Sequence, residues 1–249
     1  MSKLTGKTAV ITGGNSGIGL CTAKTFIDEG ARVIIFGRSA EKLARAKETL
    51  GKNIFTVQGD VTNAQDLARL ANTVKAGSGK VDILFVNAGV AEFMPLTTAD
   101  ETHFDKLFDI NVRGAYFTIK ALEPRLNDGA SIILTTSASN KMGLAGSSVY
   151  AASKAALRSF AQTLSAEFVD RKIRVNAISP GPIETPLYSR MGLTEAEQTE
   201  AGNAILSRVP IGRMGLPSEI AKSVLFLASN DSSYMAGSEL IVDGGMSQI

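Results

Sequence analysis

The stretch Thr12-Gly13-Gly14-Asn15-Ser16-Gly17-Ile18-Gly19 follows a short β-branched run, Thr8 to Thr12, and leads into a helical pattern from about Ile18 to Glu29. Each glycine has a task in such a turn. Gly13 allows the tight reversal, Gly17 lets backbone approach a ligand, and Gly19 lets the helix pack close to the strand. The helix N-terminus then presents free N–H groups and the positive end of its dipole, which suits the phosphates of a dinucleotide. The spacing is Gly-x-x-x-Gly-x-Gly rather than Gly-x-Gly-x-x-Gly.

Strand and helix patterns alternate on both sides of this turn. Arg32 to Phe36 and Ile54 to Gln58 read as strands, with a charged surface helix over Ala40 to Leu50 and another helix over Ala64 to Ala76. Val81 to Val86 is nearly all apolar, as a strand covered on both faces requires. A long helical region runs from about Glu101 to Leu126 with Gly114 inside it; strand Ser131 to Thr135, helix Tyr150 to Val169, strand Arg174 to Ile178, helix Ser218 to Ala228 and strand Glu239 to Val242 follow. Repeated β-α-β units predict an α/β fold: a single-domain, Rossmann-type, doubly wound parallel sheet of about seven strands, with helices on both faces. The segment 183–215 breaks the alternation with Pro186, Pro210, Gly192, Gly202, Gly212 and Gly215 around one amphipathic piece, and is expected to be a lid over the site.

Bulk composition excludes several classes. A formal net charge of +2 over 249 residues gives no broad basic field for nucleic acid. The one cysteine, Cys21, permits no internal disulfide and reads as a packed core thiol. The N-terminus lacks the apolar stretch of a signal peptide, and no apolar run approaches the ~20 residues of a membrane span, so a soluble cytoplasmic protein is expected. His103 is the only histidine, which leaves no His-based triad and no zinc cluster.

The chemistry sits in Tyr150-Ala151-Ala152-Ser153-Lys154 and in Ser137, thirteen residues before the tyrosine. A phenol and an ammonium four apart share one helix face. The ammonium favours phenolate and is expected to pull the tyrosine proton affinity down, while a nearby hydroxyl can hold a developing oxyanion. Ser137 lies in a run of hydroxyls; spacing to Tyr150 selects it, with Ser139 as the alternative.

With the glycine loop, these residues resemble the short-chain dehydrogenases/reductases over nearly the whole length. Other matching pieces are Asn87-Ala88-Gly89 after the fourth strand, Asn111 in the long helix, Pro180-Gly181 after the sixth strand and Val242-Asp243-Gly244-Gly245 near the end. The usual fourth-strand motif is Asn-Asn-Ala-Gly; here Val86 stands at its first position. The resemblance implies that Tyr150 is the general acid/base and that Ser137 holds the substrate oxygen. It implies that Lys154 binds the nicotinamide ribose and tunes the tyrosine. Asn111 would kink its helix and hold a water in a relay to the lysine. Asp60, followed by Val61, matches an adenine-contacting acid, and Pro180, Gly181, Ile183 and Thr185 would carry the carboxamide end of the cofactor.

The second strand should end beside the adenosine ribose, and it reads Phe36-Gly37-Arg38-Ser39 with no acid between Ile34 and Ala40. An acid there would favour NAD by repelling a 2′-phosphate; Arg38 and Ser39 instead suit that phosphate, so the expected cofactor is NADP(H). The resemblance points the same way. Within the glycine loop Asn15 and Ser16 add only neutral hydrogen bonds.

Ala138, Met142, Leu144, Ala145, Val90, Phe93, Leu187, Tyr188 and Met191 are candidate pocket walls and are largely apolar. The expectation is an NADP-dependent alcohol dehydrogenase/carbonyl reductase (ketoreductase) acting on an uncharged ketone or secondary alcohol. The alternatives are a 3-oxoacyl-thioester reductase and, from another class, a non-catalytic NADP(H)-binding regulator, in which loss of Tyr150 or Lys154 would be expected. The resemblance also implies a homotetramer, consistent with apolar periodicity over Ala155 to Phe168 and Phe104 to Leu122.

Overall fold

A strand covered on both faces needs apolar residues at successive positions, and all five residues of β1 (Thr8–Thr12) are buried. The computed structural model describes residues 2–185 and 204–249. After β1 come α1 (Gly17–Asp28), β2 (Arg32–Gly37), α2 (Ala40–Leu50), β3 (Ile54–Gln58), α3 (Ala64–Gly77) and β4 (Val81–Val86). Then follow α4 (Glu101–Phe108), α5 (Gly114–Leu122), β5 (Leu126–Thr135), α6 (Ser148–Glu167), β6 (Arg174–Pro180), α7 (Pro217–Ala228) and β7 (Glu239–Val242). The seven strands form one parallel sheet in the order β3-β2-β1-β4-β5-β6-β7.

Because side chains alternate along a strand, each strand feeds two cores. On one face Val10, Ile34 and Leu84 pack with Leu70, Val74, Ile119 and Leu157 of α3, α5 and α6. On the other face Ile11, Val33, Ile35 and Phe85 pack with Phe26 of α1, Leu43 of α2 and Val224 of α7. The chain leaves β1 toward β2 on one side and returns to β4 on the other. That reversal opens a crevice at the carboxyl ends of β1 and β4, the usual ligand position in such sheets.

Beyond shifts of one or two residues at other ends, such as β6 running to Pro180 rather than Ile178, the structure departs from the sequence expectation in three places. The long helical region is broken: Asp109–Arg113 forms a π turn, and a 3-10 turn over Glu123–Arg125 ends α5 before the predicted Leu126. Strand β5 begins five residues earlier than predicted, at Leu126. Leu126 is fully buried opposite Val81, and the register then shifts so that Ile83 pairs Ser131. Polar Asn127-Asp128-Gly129 hid this strand start, since they form the shifted stretch. Helix α6 starts at Ser148 rather than Tyr150 and ends at Glu167 rather than Val169.

Gly114 explains itself by packing. A Cβ there would lie 2.7 Å from Cγ2 of Val61 in the loop after β3. Two effects compete in Gly114→Ala. Helix propensity alone would stabilise by about 1 kcal/mol, whereas overpacking costs about 1–3 kcal/mol. We expect the clash to win and urea unfolding to show net destabilisation; a variant more stable than the parent would contradict this packing.

Candidate active site

The crevice is a cleft of about 400 Å³. Of the residues singled out for cofactor binding, Gly13, Asn15, Ser16, Gly17, Ile18, Arg38, Ser39, Asp60, Val61, Asn87, Ala88, Gly89, Tyr150, Lys154, Pro180, Gly181, Ile183 and Thr185 all line it. Gly19 is not on the wall. Its part is packing, because a Cβ at Gly19 would stand 2.4 Å from the Gly13 carbonyl oxygen.

Asn87 sews the end of β4 to the glycine loop. Its amide donates to the carbonyls of Thr12 and Gly13 at 3.1 and 3.4 Å, while the backbone N–H groups of Asn87 and Ala88 donate to Thr12 Oγ1 at 3.0 and 3.1 Å. Gly13, at φ +66°, packs directly under this contact; a Cβ there would lie 3.0 Å from Ala88 Cα. The Ser16 side chain makes no cap to α1, so the first N–H groups of that helix are not consumed by it. A loop whose Gly13, Gly14 and Gly19 pack too closely on Ala88, Ile35 and the Gly13 carbonyl to admit a Cβ, at a helix start the Ser16 side chain leaves uncapped, fits the pyrophosphate of a dinucleotide.

At the far end of the cleft, Arg38 is 64% exposed in its side chain, with one guanidinium nitrogen 3.8 Å from Asp60 Oδ2. Ser39 Oγ accepts from the Lys42 N–H at 3.2 Å and so caps α2. Its hydroxyl is therefore partly committed to the helix. Asp60 is held too: its Oδ1 accepts from Thr62 N and Oγ1, both at 2.9 Å. Lys42 lines the cleft here and was missed from sequence. Its position four residues after Arg38, on the first turn of α2, was the available signal.

Ser137, Tyr150 and Lys154 come together at the carboxyl end of β5. Ser137 Oγ accepts from Ser139 Oγ at 2.8 Å and from Ser139 N at 3.3 Å. With its acceptor sites taken, the Ser137 proton is left to be donated. Ser137 and the Tyr150 phenol line the same cleft, and the Ser137 hydroxyl counters the rise in the phenol's proton affinity. Ser137, the choice made from spacing, lines the cleft with Tyr150, and so does Ser139, the alternative, hydrogen-bonded to it. Lys154 is 4% exposed and its Nζ donates to the Thr135 carbonyl at 2.9 Å.

The spacing argument expected the lysine to pull the tyrosine down. The structure gives a different balance. Burial pushes the Tyr150 phenol above its usual range, and the hydrogen bond with Ser137 pulls it partly back. Lys154 is itself pushed down to about 8 by burial. Its amine sits 5.9 Å from the Tyr150 ring centroid and is turned to the Thr135 carbonyl. At neutral pH the tyrosine is therefore a protonated acid beside a donor hydroxyl.

Asn111 is buried in the π turn and is not on the cleft wall. Its Oδ1 accepts from Val90 N at 2.8 Å, and its Nδ2 donates to Val90 O and to Ser153 Oγ, both at 3.0 Å. It zips the loop after β4 onto α6. A Cβ at Gly89 would lie 3.1 Å from Asn111 Oδ1 and 3.3 Å from Lys154 Nζ, so Gly89 is what lets the two approach.

Of the candidate wall residues, Val90, Phe93, Ala138, Met142 and Leu144 line the cleft, and Ala145 does not. Leu187, Tyr188 and Met191, like residues 186–203 of the expected lid, lie outside the described residues. Ile205 and Met246 join the wall and were not foreseen. Phe93 meets the Tyr150 ring edge to face, with centroids 5.4 Å apart.

The buried amine predicts a pH signature. Between about 8 and the ordinary 10.5, folded Lys154 binds fewer protons than the unfolded chain, so stability rises with pH across that window. Below it, burying the ammonium costs about 3 kcal/mol. Lys154→Met removes that cost and forfeits a hydrogen bond worth about 1 kcal/mol. Denaturant unfolding should find this variant more stable than the parent at pH 7, with the advantage shrinking from pH 8 to 10.5. A pH-independent difference would contradict the assignment.

A family model described as enoyl-(acyl carrier protein) reductase matches residues 13–247. An oxidoreductase of Sarocladium schorii is 45% identical over 251 aligned residues, covering 100% of this chain and 99% of that protein. The 3-oxoacyl-[acyl-carrier-protein] reductase of Thermotoga maritima is 34% identical, covering 98% and 99%. Among solved structures, a short chain dehydrogenase/reductase family protein is 38% identical with a TM-score of 0.87, covering 99% of this chain and 100% of that one. The L-sorbose reductase of Gluconobacter frateurii, complexed with NADPH and L-sorbose, is 31% identical with a TM-score of 0.92, covering all of both chains. Among the described residues, no helix is long and apolar enough to cross a membrane.

Proposed function

Since the chain belongs to the short-chain dehydrogenase/reductase family, and is an oxidoreductase of that family, we propose that it moves a hydride between NADP(H) and a ketone or secondary alcohol. The observation that carries this reading is the hydroxyl–phenol–amine group of Ser137, Tyr150 and Lys154 on the wall of the cleft that also holds the glycine cradle. A bound nicotinamide supplies or accepts the hydride; the chain's own residues manage the proton and the charge. In reduction, Tyr150 donates its proton to the carbonyl oxygen. Ser137, both of whose acceptor sites are used by Ser139, donates to the same oxygen as negative charge grows there. Lys154 is at hand to bind ribose hydroxyls. In oxidation Tyr150 accepts the proton, and its raised proton affinity makes that direction improve as pH rises.

Preference for NADP(H) rests on Arg38 and Lys42, two cations on the cleft rim where no carboxylate replaces them at the end of β2. The NADPH bound to the sorbose reductase neighbour is consistent with this. Asp60, 3.8 Å from Arg38, holds the guanidinium near the rim rather than serving as an NAD-selecting acid. The apolar walls favour an uncharged substrate. A second reading, a 3-oxoacyl-thioester reductase, is favoured by the Thermotoga maritima relative and by the same apolar wall. A regulator without catalysis is disfavoured, because Tyr150 and Lys154 are both in place. We also propose a homotetramer, supported by the half-exposed aromatics Phe104, Tyr116 and Phe117 on α4 and α5, in a cytoplasmic setting, which a chain with one cysteine suits.

Initial rates with NADPH and NADH on aryl-alkyl ketones, cyclic ketones and a β-ketoacyl thioester test the reading. Turnover of simple ketones with NADPH is expected, and Tyr150→Phe should lower it by about 10²–10⁴-fold. Arg38→Ala should weaken NADPH by roughly 10- to 100-fold and leave NADH unchanged, the loss of a charge-assisted contact. A strong NADH preference in the parent sinks the role given to Arg38; turnover of the thioester alone selects the second reading.

A further inference from the structure

Glu239 lies on the last strand, away from the cleft wall, yet its side chain is only 5% exposed. A buried carboxylate is costly unless its charge and lone pairs are met. Here they are met by three different elements. Oε1 accepts from Asn140 Nδ2 at 2.6 Å, and Thr136 Oγ1 lies 3.0 Å away. That hydroxyl also stands 2.9 Å from the Ile178 carbonyl, so its single proton is shared between the two. Oε2 faces two cations, Lys141 Nζ and Arg158 Nε, each at 3.2 Å. These are charge contacts without aligned hydrogen bonds.

The places these partners come from matter more than their number. Thr136 precedes Ser137, and Asn140 and Lys141 close the 3-10 turn Ala138–Lys141 that Ser137 caps. Arg158 is four residues after Lys154 on α6, one turn further along the helix that carries Tyr150. One carboxylate thus ties the serine-bearing turn to the tyrosine-bearing helix, with β7 as the anchor. Isolated exposed pairs are worth little, but this acid is dry and its partners sit in two segments whose relative placement sets the Ser137–Tyr150 contact.

We propose that Glu239 is a positioning residue that clamps the Ser137 turn against α6. Its catalytic meaning rests on the reading of Tyr150 and Ser137 as the acid/base pair. If Glu239 acts through Ser137, its loss must matter only while Ser137 is present.

Two measurements on the full chain decide this. In the first, kcat and the NADPH dissociation constant are compared for the parent, Glu239→Ala, Ser137→Ala and the double variant. Glu239→Ala should lower kcat by about 3- to 100-fold, leave NADPH affinity within about twofold, and cost less than about twofold when Ser137 is already Ala. Equal losses in both backgrounds, or weakened cofactor binding, would mean general destabilisation and overturn the proposal. Glu239→Gln keeps the shape and an acceptor for Asn140 while removing the charge, so it should fall between parent and Ala; it serves the same cycle if the Ala variant folds poorly. In the second, amide hydrogen exchange over residues 136–141 should quicken in these variants while residues 13–19 stay unchanged. Unchanged exchange at 136–141 also overturns the clamp. Should the parent turn over no ketone and no thioester, the proposed function fails, and the exchange measurement still decides whether Glu239 holds the turn.

Discussion

One buried polar contact, Lys154 Nζ on the Thr135 carbonyl at 2.9 Å, ties the helix carrying Tyr150 to the strand that delivers Ser137. It forms where α6 passes the carboxyl end of β5, at the last residue of that strand. The amine is nearly dry there, which depresses it to about 8. Gly89 gives it room from the other side. The remainder of the site follows from holding that amine in place. Asn111 fixes the loop after β4 to Ser153, the residue before Lys154, and Asn87 fixes that strand end to the glycine loop. Among the described residues, the cleft is assembled from strand ends stitched to each other by side-chain amides.

The tyrosine shows how opposing effects are weighed in such a site. Burial favours the neutral phenol, and a donor hydroxyl favours the phenolate. Burial is the larger here. A lysine four residues away on a helix would be the stronger influence were it aimed at the phenol; instead it is spent on a backbone carbonyl. The consequence is an acid that stays protonated at neutral pH, which suits carbonyl reduction.

Much of this was legible in the chain. Seven strands could be read because buried parallel strands are short, nearly continuous apolar runs such as Val81–Val86, broken only by Asp82. Spacing pointed to Ser137 with Ser139 as the alternative, and the structure places both on the cleft wall, hydrogen-bonded to each other. What was not legible depended on distant partners. The π turn at Asp109–Arg113 looks like any helix until Val90 and Ser153 claim the Asn111 amide. The polar start of β5 was hidden because Asn127-Asp128-Gly129 carries no apolar signal. The direction of the Tyr150 shift depends on how deeply the phenol is buried, and Glu239 looked like an ordinary strand-edge acid until Asn140, Lys141 and Arg158 met around it.

The central claim is that this cleft brings a nicotinamide and a carbonyl carbon together beside Tyr150. The most direct measurement is transfer of deuterium from 4-deuterated NADPH to a ketone turned over by the enzyme, followed by mass spectrometry of the alcohol. The account predicts one deuterium on the carbinol carbon, from one face of the nicotinamide only. Tight NADPH binding with no label reaching any carbonyl compound would contradict it and leave a cofactor-binding protein without this chemistry.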